Sequence, residues 1–255
     1  IQKGDKVCAF IHVKNLSDME YVQNHYLIFA TKNGLMKKTT LESYSRPRAN
    51  GIIALGLRED DRLIRVTLTD GNSQMLVASY NGKVVRFPED TVRPMGRTAT
   101  GVRAIKLDED GKDRVIGMIC VEQGSKDSVL VISEKGFGKR TLLDDENGEP
   151  IYRITNRGGK GVKTMNITDK TGNLIGLEAV NDDMDLMLIT KAGTAIRMAM
   201  DAISVLGRAT QGVKLIELQK RNDTLMFGCT VPKEEQEEVV ESEEVTTEET
   251  TTTEE

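Results

Sequence analysis

The chain has 255 residues, enough to bury a sizeable core, and it carries a net charge of −5 with only 4% aromatic residues. No apolar run approaches the length of a bilayer span and no signal-type segment is present, so neither a membrane protein nor a secreted protein is expected. The sequence begins at Ile1 without a methionine, which predicts a cytoplasmic fragment of a longer protein. Cys8, Cys120 and Cys229 stand far apart among apolar residues and predict buried thiols, with no disulfide and no metal site.

Three phrases recur along the chain in a fixed order, and each predicts β-structure. An opening phrase begins at Lys6, Arg62, Arg114, Asn173 and Thr224. A hairpin phrase, an apolar run followed by Thr or Ser and a turn glycine, spans Leu27 to Gly34, Met75 to Gly82, Val129 to Gly136 and Leu186 to Gly193. Asn-Gly at two of these turns favours type I′ hairpins. A closing phrase begins at Gly51, Gly101, Gly161 and Gly212, with apolar residues one, four and six positions later, as in a strand with one buried face.

The spacing of the turn glycines, roughly fifty residues, is typical of propeller arrays. We therefore predict an all-β, β-propeller-like fold of four-stranded blades, with four repeats at about 5–57, 58–107, 108–167 and 168–218. A β-sandwich is the alternative, although it gives no reason for a fixed phrase at this spacing. The fifth opening phrase predicts a closing strand at 223–231 that completes a blade begun elsewhere and lacks its native partner. Only Asp201 to Leu206 is expected to form a helical turn.

An acidic tail follows this basic body. From Glu234 to Glu255 the sequence contains eleven Glu and no Lys or Arg. Removing those eleven negative charges from the net charge of −5 leaves residues 1–233 at +6. Such a segment buries too little apolar surface to fold, so residues 232–255 are predicted to be disordered. The tail is either a solubilising extension or an intramolecular mimic of DNA.

Basic residues recur at two positions in each repeat, which predicts a basic belt that binds a polyanion. The first position is the second strand of the hairpin, where a basic residue stands four residues after the turn glycine. These hairpin cations are Lys37, Lys38, Lys83, Arg86, Lys139, Arg140 and Arg197. The second position comprises the loop before the closing glycine and the strand after that glycine. These residues are Arg46, Arg48, Arg93, Arg97, Arg103, Arg153, Arg157, Lys160, Lys163, Arg208 and Lys214.

Duplex DNA, held by its phosphate backbone and bent, fits this belt better than single strands or RNA, since few aromatic residues are available to stack bases. Catalytic signals are weak. His12 and His25 have no ligand-like spacing, and no phosphate-binding loop or nucleophile elbow is present. Carboxylate pairs such as Asp60-Asp61, Asp144-Asp145 and Asp182-Asp183 are interpreted as turn caps.

The segment Asn156-Arg157-Gly158-Gly159-Lys160-Gly161 and the recurring Arg and Gly-Val phrases resemble the C-terminal domain of the A subunit of bacterial DNA gyrase. Matching phrases also occur at Gly82 to Phe87, Gly138 to Thr141, Thr100 to Arg103 and Gly207 to Val213. The likeness covers about residues 5–231. The family's signature box is Gln-Arg-Arg-Gly-Gly-Lys-Gly in the first blade. Here Arg157 to Gly161 match its last five residues, in the third repeat, so they form a box-like motif, and the principal box is expected upstream.

The resemblance implies a β-pinwheel that wraps duplex DNA around its outer rim and so supports ATP-driven negative supercoiling by a type IIA topoisomerase. It implies as partners the B subunit of gyrase and a second copy of the A subunit, together with a bacterial cytoplasmic, nucleoid-associated location and use of ATP and magnesium elsewhere in the enzyme. No cofactor is expected in this segment. The tyrosines of this chain lack the Arg-Tyr-Thr context of the family's cleavage site, so no catalytic residue is expected either. The rivals are the corresponding domain of topoisomerase IV and, from another class, a propeller that serves as a protein-interaction scaffold.

Overall fold

The computed structural model describes residues 6–218 and 223–233, and these residues form an all-β array. The strands are β1 Tyr26–Thr31, β2 Leu35–Thr40, β3 Leu63–Thr69, β4 Gln74–Ser79, β5 Lys83–Pro88, β6 Val102–Arg103, β7 Val115–Val121, β8 Ser128–Ser133, β9 Phe137–Leu142, β10 Val162–Lys163, β11 Leu174–Val180, β12 Met184–Thr190, β13 Ala195–Ala199, β14 Val213–Lys214 and β15 Leu225–Pro232. Helical structure comprises α1 Met19–Asn24 and 3-10 turns at Leu41–Tyr44, Glu89–Thr91 and Met200–Ala202. No helix in the described part of the chain is long and apolar enough to cross a membrane.

The strands form four antiparallel sheets, which we number as blades one to four. From the inner to the outer edge, their orders are β3-β1-β2-β6, β7-β4-β5-β10, β11-β8-β9-β14 and β15-β12-β13. The expected hairpins are present in every blade. The prediction that each blade is built from one repeat is wrong, because every hairpin pairs with the opening phrase of the next repeat, and those of blades one to three also pair with its closing phrase. The outer strand β6 reaches back past the hairpin β4-β5, so consecutive blades interlock.

This pairing rule corrects the prediction about the fifth opening phrase. Strand β15 pairs with β12 along the whole of Met184–Thr190, so it completes the inner edge of blade four. The opening phrase at residues 6–8 and the closing phrase at residues 51–57 form no strand instead. By the same rule both would pair with a hairpin that precedes β1, and the described residues contain none. Cys8 is consequently exposed, contrary to the prediction of a buried thiol.

The core lies between successive blades. One apolar cluster joins Met36 and Ile28 of blade one to Val77 and Phe87 of blade two, and equivalent clusters follow along the chain. The inner strands β3, β7, β11 and β15 pack against one another in that order. Arg65 on β3 reaches Glu178 on β11 through two hydrogen bonds of 2.6 and 2.8 Å, which ties the inner edges of blades one and three. This arrangement leaves the short outer strands at the periphery.

Glycine precedes each of the outer strands β6, β10 and β14 because these strands approach the hairpin backbone closely. Gly161 has a φ of +72°, and a Cβ there would lie 2.5 Å from the Val84 oxygen. Gly212 has a φ of +83°, and a Cβ there would lie 2.7 Å from the Gly138 oxygen. A larger residue is excluded both by the left-handed backbone and by the neighbouring strand.

Candidate nucleic-acid interface

The hairpin cations do not form the predicted DNA track, since most of them are buried. Lys38 and Arg86 are each 4% exposed and Arg140 is 8% exposed. Each reaches a carboxylate of the next repeat: Lys38 Nζ lies 2.7 Å from Glu89, Arg86 Nη1 lies 2.7 Å from Asp144, and Arg140 pairs with Asp182. A phosphate backbone cannot reach these groups without unfolding the site.

Contacts with the next repeat explain why a cation recurs four residues after the turn glycine. The residue that carries the charge also accepts a backbone hydrogen bond from the next repeat: Met95 N donates to Lys38 O at 2.8 Å, Thr155 N to Arg86 O at 2.9 Å and Leu206 N to Arg140 O at 2.8 Å. Lys38 and Glu89 are both buried, so removing either leaves an uncompensated charge, which is strongly destabilising. Asp144 is half-buried and Asp182 is exposed, so only the cation is buried in the other two pairs. The repeated cation therefore fastens one blade to the next.

Two hairpin cations keep more exposure but carry acid partners. Arg197 donates to Asp185 Oδ2 in its own blade at 2.8 Å and to Pro232 O at 2.9 Å. Half-buried Lys83 lies 2.5 Å from Asp108 Oδ1. Their charges are thus balanced locally.

Lys37 and Lys139 are fully buried and have no carboxylate partner among the described residues, so they too are excluded as direct DNA contacts. Lys37 Nζ donates to Ala54 O and, at 2.6 Å, to Arg97 O. Lys139 Nζ donates to Gly207 O at 2.5 Å, Arg208 O at 2.7 Å and Thr210 Oγ1 at 3.0 Å. Burial lowers the pKa of each ammonium to about 8, and the nearby arginines, Arg97 and Arg208 respectively, contribute to that lowering.

The cations of the loops and outer strands are placed differently, because they are accessible. Each outer strand ends in an exposed cation: Arg103 on β6, Lys163 on β10 and Lys214 on β14. In the preceding loops Arg46, Arg48, Arg93, Arg153 and Lys160 are exposed, while Arg97, Arg157 and Arg208 are half-buried. Lys214 pairs with Glu217 at 2.6 Å, whereas the other cations of this set make no ion pair with a described acid. Their charge remains available to an external anion.

Contacts between repeats hold the loop arginines against the previous closing phrase. Each half-buried loop arginine donates from Nη1 to the backbone oxygen of the third residue in the previous closing phrase. The pairs are Arg97 to Ile53 at 3.5 Å, Arg157 to Arg103 at 3.3 Å and Arg208 to Lys163 at 2.9 Å. In the last two pairs the loop arginine of one repeat therefore lies beside the outer-strand cation of the repeat before it, whereas Arg97 lies beside the apolar Ile53. We call the loops and outer strands together the outer edge.

In the box-like motif, the glycine pair contacts the neighbouring blade. Gly158 N donates to Ala104 O at 2.7 Å, and Lys106 N donates to Gly159 O at 2.8 Å. Arg157 Nε donates to Thr91 O at 3.1 Å. The loop is thus fastened through its backbone and through Arg157, which leaves Lys160 at its exposed tip.

The carboxylates have structural partners. Asp61 Oδ1 accepts from Asn33 N at 2.9 Å, and Asp145 Oδ1 accepts from Asn147 N at 2.9 Å, which confirms their interpretation as turn caps. Asp144 and Asp182 hold interblade cations instead. Across the described ranges no group of three or more His, Cys, Asp or Glu side chains is arranged to hold a metal.

Comparison with known proteins agrees with this architecture. The model of the family "DNA gyrase C-terminal domain, beta-propeller" matches residues 25–70, 74–122, 127–181 and 185–227, one segment per hairpin. Similar solved structures include the C-terminal domain of DNA topoisomerase IV, with a TM-score of 0.74, 23% identity and coverage of 82% of this chain and 62% of that one. The DNA gyrase A C-terminal domain has a TM-score of 0.69 and 22% identity, and the match covers 82% of this chain and 66% of that one. At such identities the structures show the fold alone.

Relatives at higher identity distinguish the two enzymes. The A subunit of DNA gyrase from Staphylococcus aureus, in strains NCTC 8325 and COL, is 44% identical over 218 residues. The match covers 86% of this chain and 23% of each relative, so the chain spans about a quarter of their length. Topoisomerase IV is therefore not favoured. Sequence, blade architecture and family match agree that this chain belongs to the DNA gyrase A C-terminal domain family.

Proposed function

We propose that this chain binds duplex DNA along its outer edge and wraps it, in support of ATP-dependent negative supercoiling by a gyrase. The observation that carries the proposal is the set of exposed cations on the loops and outer strands that make no ion pair with a described acid. Each phosphate they neutralise releases counterions, so several contacts spaced over consecutive blades give affinity without base recognition.

In this proposal the duplex bends as it follows the outer edge from one blade to the next. A duplex has a persistence length of about 150 bp, so wrapping costs elastic energy that repeated backbone contacts must offset. Arg103 beside Arg157, and Lys163 beside Arg208, provide such contacts at successive blades. Chemical cleavage of DNA and ATP hydrolysis, with its magnesium, belong in this proposal to other parts of the enzyme. Its partners are the B subunit of gyrase and a second copy of the A subunit, in the bacterial cytoplasm at the nucleoid.

Two measurements test the proposal. Binding to a duplex of about 150 bp should weaken steeply with salt, as expected for multiple phosphate contacts. Ligation of nicked circular DNA in the presence of the protein should change the linking number if the duplex is wrapped. Binding with flat salt dependence, or an unchanged linking number, would reject wrapping. Tight binding of an acidic protein without duplex binding would favour a scaffold.

A further inference from the structure

The buried lysines Lys37 and Lys139 occupy the same position in their hairpins, directly before the interblade cation. Each lies beneath a loop of the next repeat that carries a half-buried arginine. Lys37 Nζ bonds the carbonyl oxygen of Arg97, and Lys139 Nζ bonds those of Gly207 and Arg208. The equivalent residue beneath the box-like loop is the apolar Val85, so a cation here is not required for the blade to form.

An ammonium without a counterion is expensive to bury, and carbonyl oxygens alone do not neutralise it. The groups around Lys37 are Arg97, the Tyr44 hydroxyl, which shares the Ala54 oxygen at 3.0 Å, and the Phe29 ring, whose centroid is 4.8 Å from Nζ. Lys139 is faced by Arg208 and Thr210. Neither lysine has a described carboxylate partner, so each leaves a net positive charge under its loop.

We infer that Lys37 and Lys139 are positioning residues for duplex binding: each clamps from below the backbone of an arginine-bearing loop and adds an uncompensated positive charge beneath the DNA-facing surface. The inference rests on the proposed function for its DNA part. The clamp itself is a property of the free protein. The interblade cations differ from these lysines because their charge is balanced by an acid.

The clamp is tested by hydrogen exchange on the double variant Lys37→Met, Lys139→Met. Methionine fills the space but cannot donate to the loop carbonyls. The turn amides of Ala99 and Thr210, which bond to Gly96 O and Gly207 O, should exchange about tenfold faster, roughly the cost of losing a hydrogen bond to a charged group. Loop 155–161, which lies over Val85, is the internal control and should not change. Unchanged exchange in all three loops, or equal acceleration in all three, would overturn the clamp.

The charge beneath the loops is tested by the pH dependence of duplex affinity. Lys37 and Lys139 lose their protons near pH 8, so wild-type affinity should fall about fivefold between about pH 7 and pH 9, and the double variant should show a flat profile. A purely structural lysine would leave affinity independent of pH while the protein stays folded. The variant Val85→Ile serves as a control with the wild-type profile. Equal profiles for wild type and double variant would overturn the inference, whereas a wild type that binds no duplex would reject the proposed function and leave the exchange result to decide the clamp.

Discussion

Arg157 Nη1 donates to the backbone oxygen of Arg103, 3.3 Å away, and thereby sets cations of two consecutive repeats side by side on the outer edge. The contact recurs between Arg208 and Lys163 at 2.9 Å. Because the donor is a loop arginine and the acceptor is a backbone carbonyl, the charges of the outer-strand side chains are not neutralised by this contact. These two contacts thus pair cations at successive blades and leave their positive charges unneutralised.

The interblade ion pair between Lys38 and Glu89 should be a large contributor to stability. Glu89 is 1% exposed and also accepts from Thr69 Oγ1 at 2.7 Å. Glu89→Gln leaves the ammonium of Lys38 buried without an acid, so the free energy of unfolding in urea should fall by about 3–5 kcal/mol. Glu109→Gln, at an exposed ion pair, is the matched control and should change it by less than about 0.5 kcal/mol. Equal effects of the two changes would refute a fastening role.

Stability should rise with pH above about 8 because of Lys37 and Lys139. Burial lowers the pKa of both to about 8, whereas an unfolded lysine titrates near 10.4. Between these values the unfolded chain keeps protons that the folded chain has released, so the free energy of unfolding increases with pH over that window, by an amount of order 1 kcal/mol per lysine. Urea denaturation of wild type and of the Lys37→Met, Lys139→Met variant, at about pH 7.5 and pH 10, isolates the effect. A constant difference between the two proteins would contradict the burial of charged lysines.

The close approach of the outer strand can be separated from backbone strain with two glycines. Gly212 and Gly193 have similar φ values, +83° and +87°, but a Cβ at Gly212 would lie 2.7 Å from Gly138 O and one at Gly193 has no described atom within 4 Å. Gly193→Ala should cost about 1 kcal/mol from strain alone, and Gly212→Ala about 2 kcal/mol more from the clash. Thermal unfolding of both variants measures the difference. Equal losses would mean that the close approach of β9 does not constrain Gly212.

The acidic segment 234–255 lies outside the described residues, and its role stays a prediction from charge. Truncation after Lys233 removes eleven glutamates from a body of opposite sign. If the tail competes for the outer edge, duplex affinity at low salt should rise on truncation, and the gain should shrink as salt screens the competition. Fluorescence anisotropy titrations of a labelled duplex with the full-length and truncated chains, at two salt concentrations, measure this difference in affinity. Equal affinity with and without the segment would leave it a solubilising extension.

The hairpins and their number were predictable from the sequence, since Thr or Ser, Asn-Gly turns and apolar alternation are local signals. Blade membership was not, because β6 pairs with β2 across an intervening hairpin and no local pattern records that distance. The short connection within a hairpin, such as that between β1 and β2, specifies only the pairing of those two strands. For that reason the fifth opening phrase was wrongly predicted to lack its partner strand.

The site was half predictable. The cation repeated four residues after each turn glycine indicated a common role. The sequence does not distinguish a cation that faces solvent from one that faces a buried acid such as Glu89. For Lys38 and Arg86 the available signal was the acid itself, because Glu89 and Asp144 follow the second hairpin strand of the next repeat. Asp182, the partner of Arg140, lies between β11 and β12 instead. The loop and outer-strand cations are exposed or half-buried, since loops lie at the surface, and their contact with DNA stays a prediction.

The central claim, that the outer edge holds the phosphate backbone, is tested most directly by the salt dependence of duplex affinity. The triple variant Arg103→Ala, Lys160→Ala, Lys163→Ala removes three exposed cations without ion pairs to described acids. The control triple, Lys112→Ala, Lys126→Ala, Lys191→Ala, removes the same charge from turns elsewhere. The account predicts that the slope of log affinity against log salt becomes shallower by about three for the first triple and stays close to wild type for the second. Identical slopes for the two triples would contradict it.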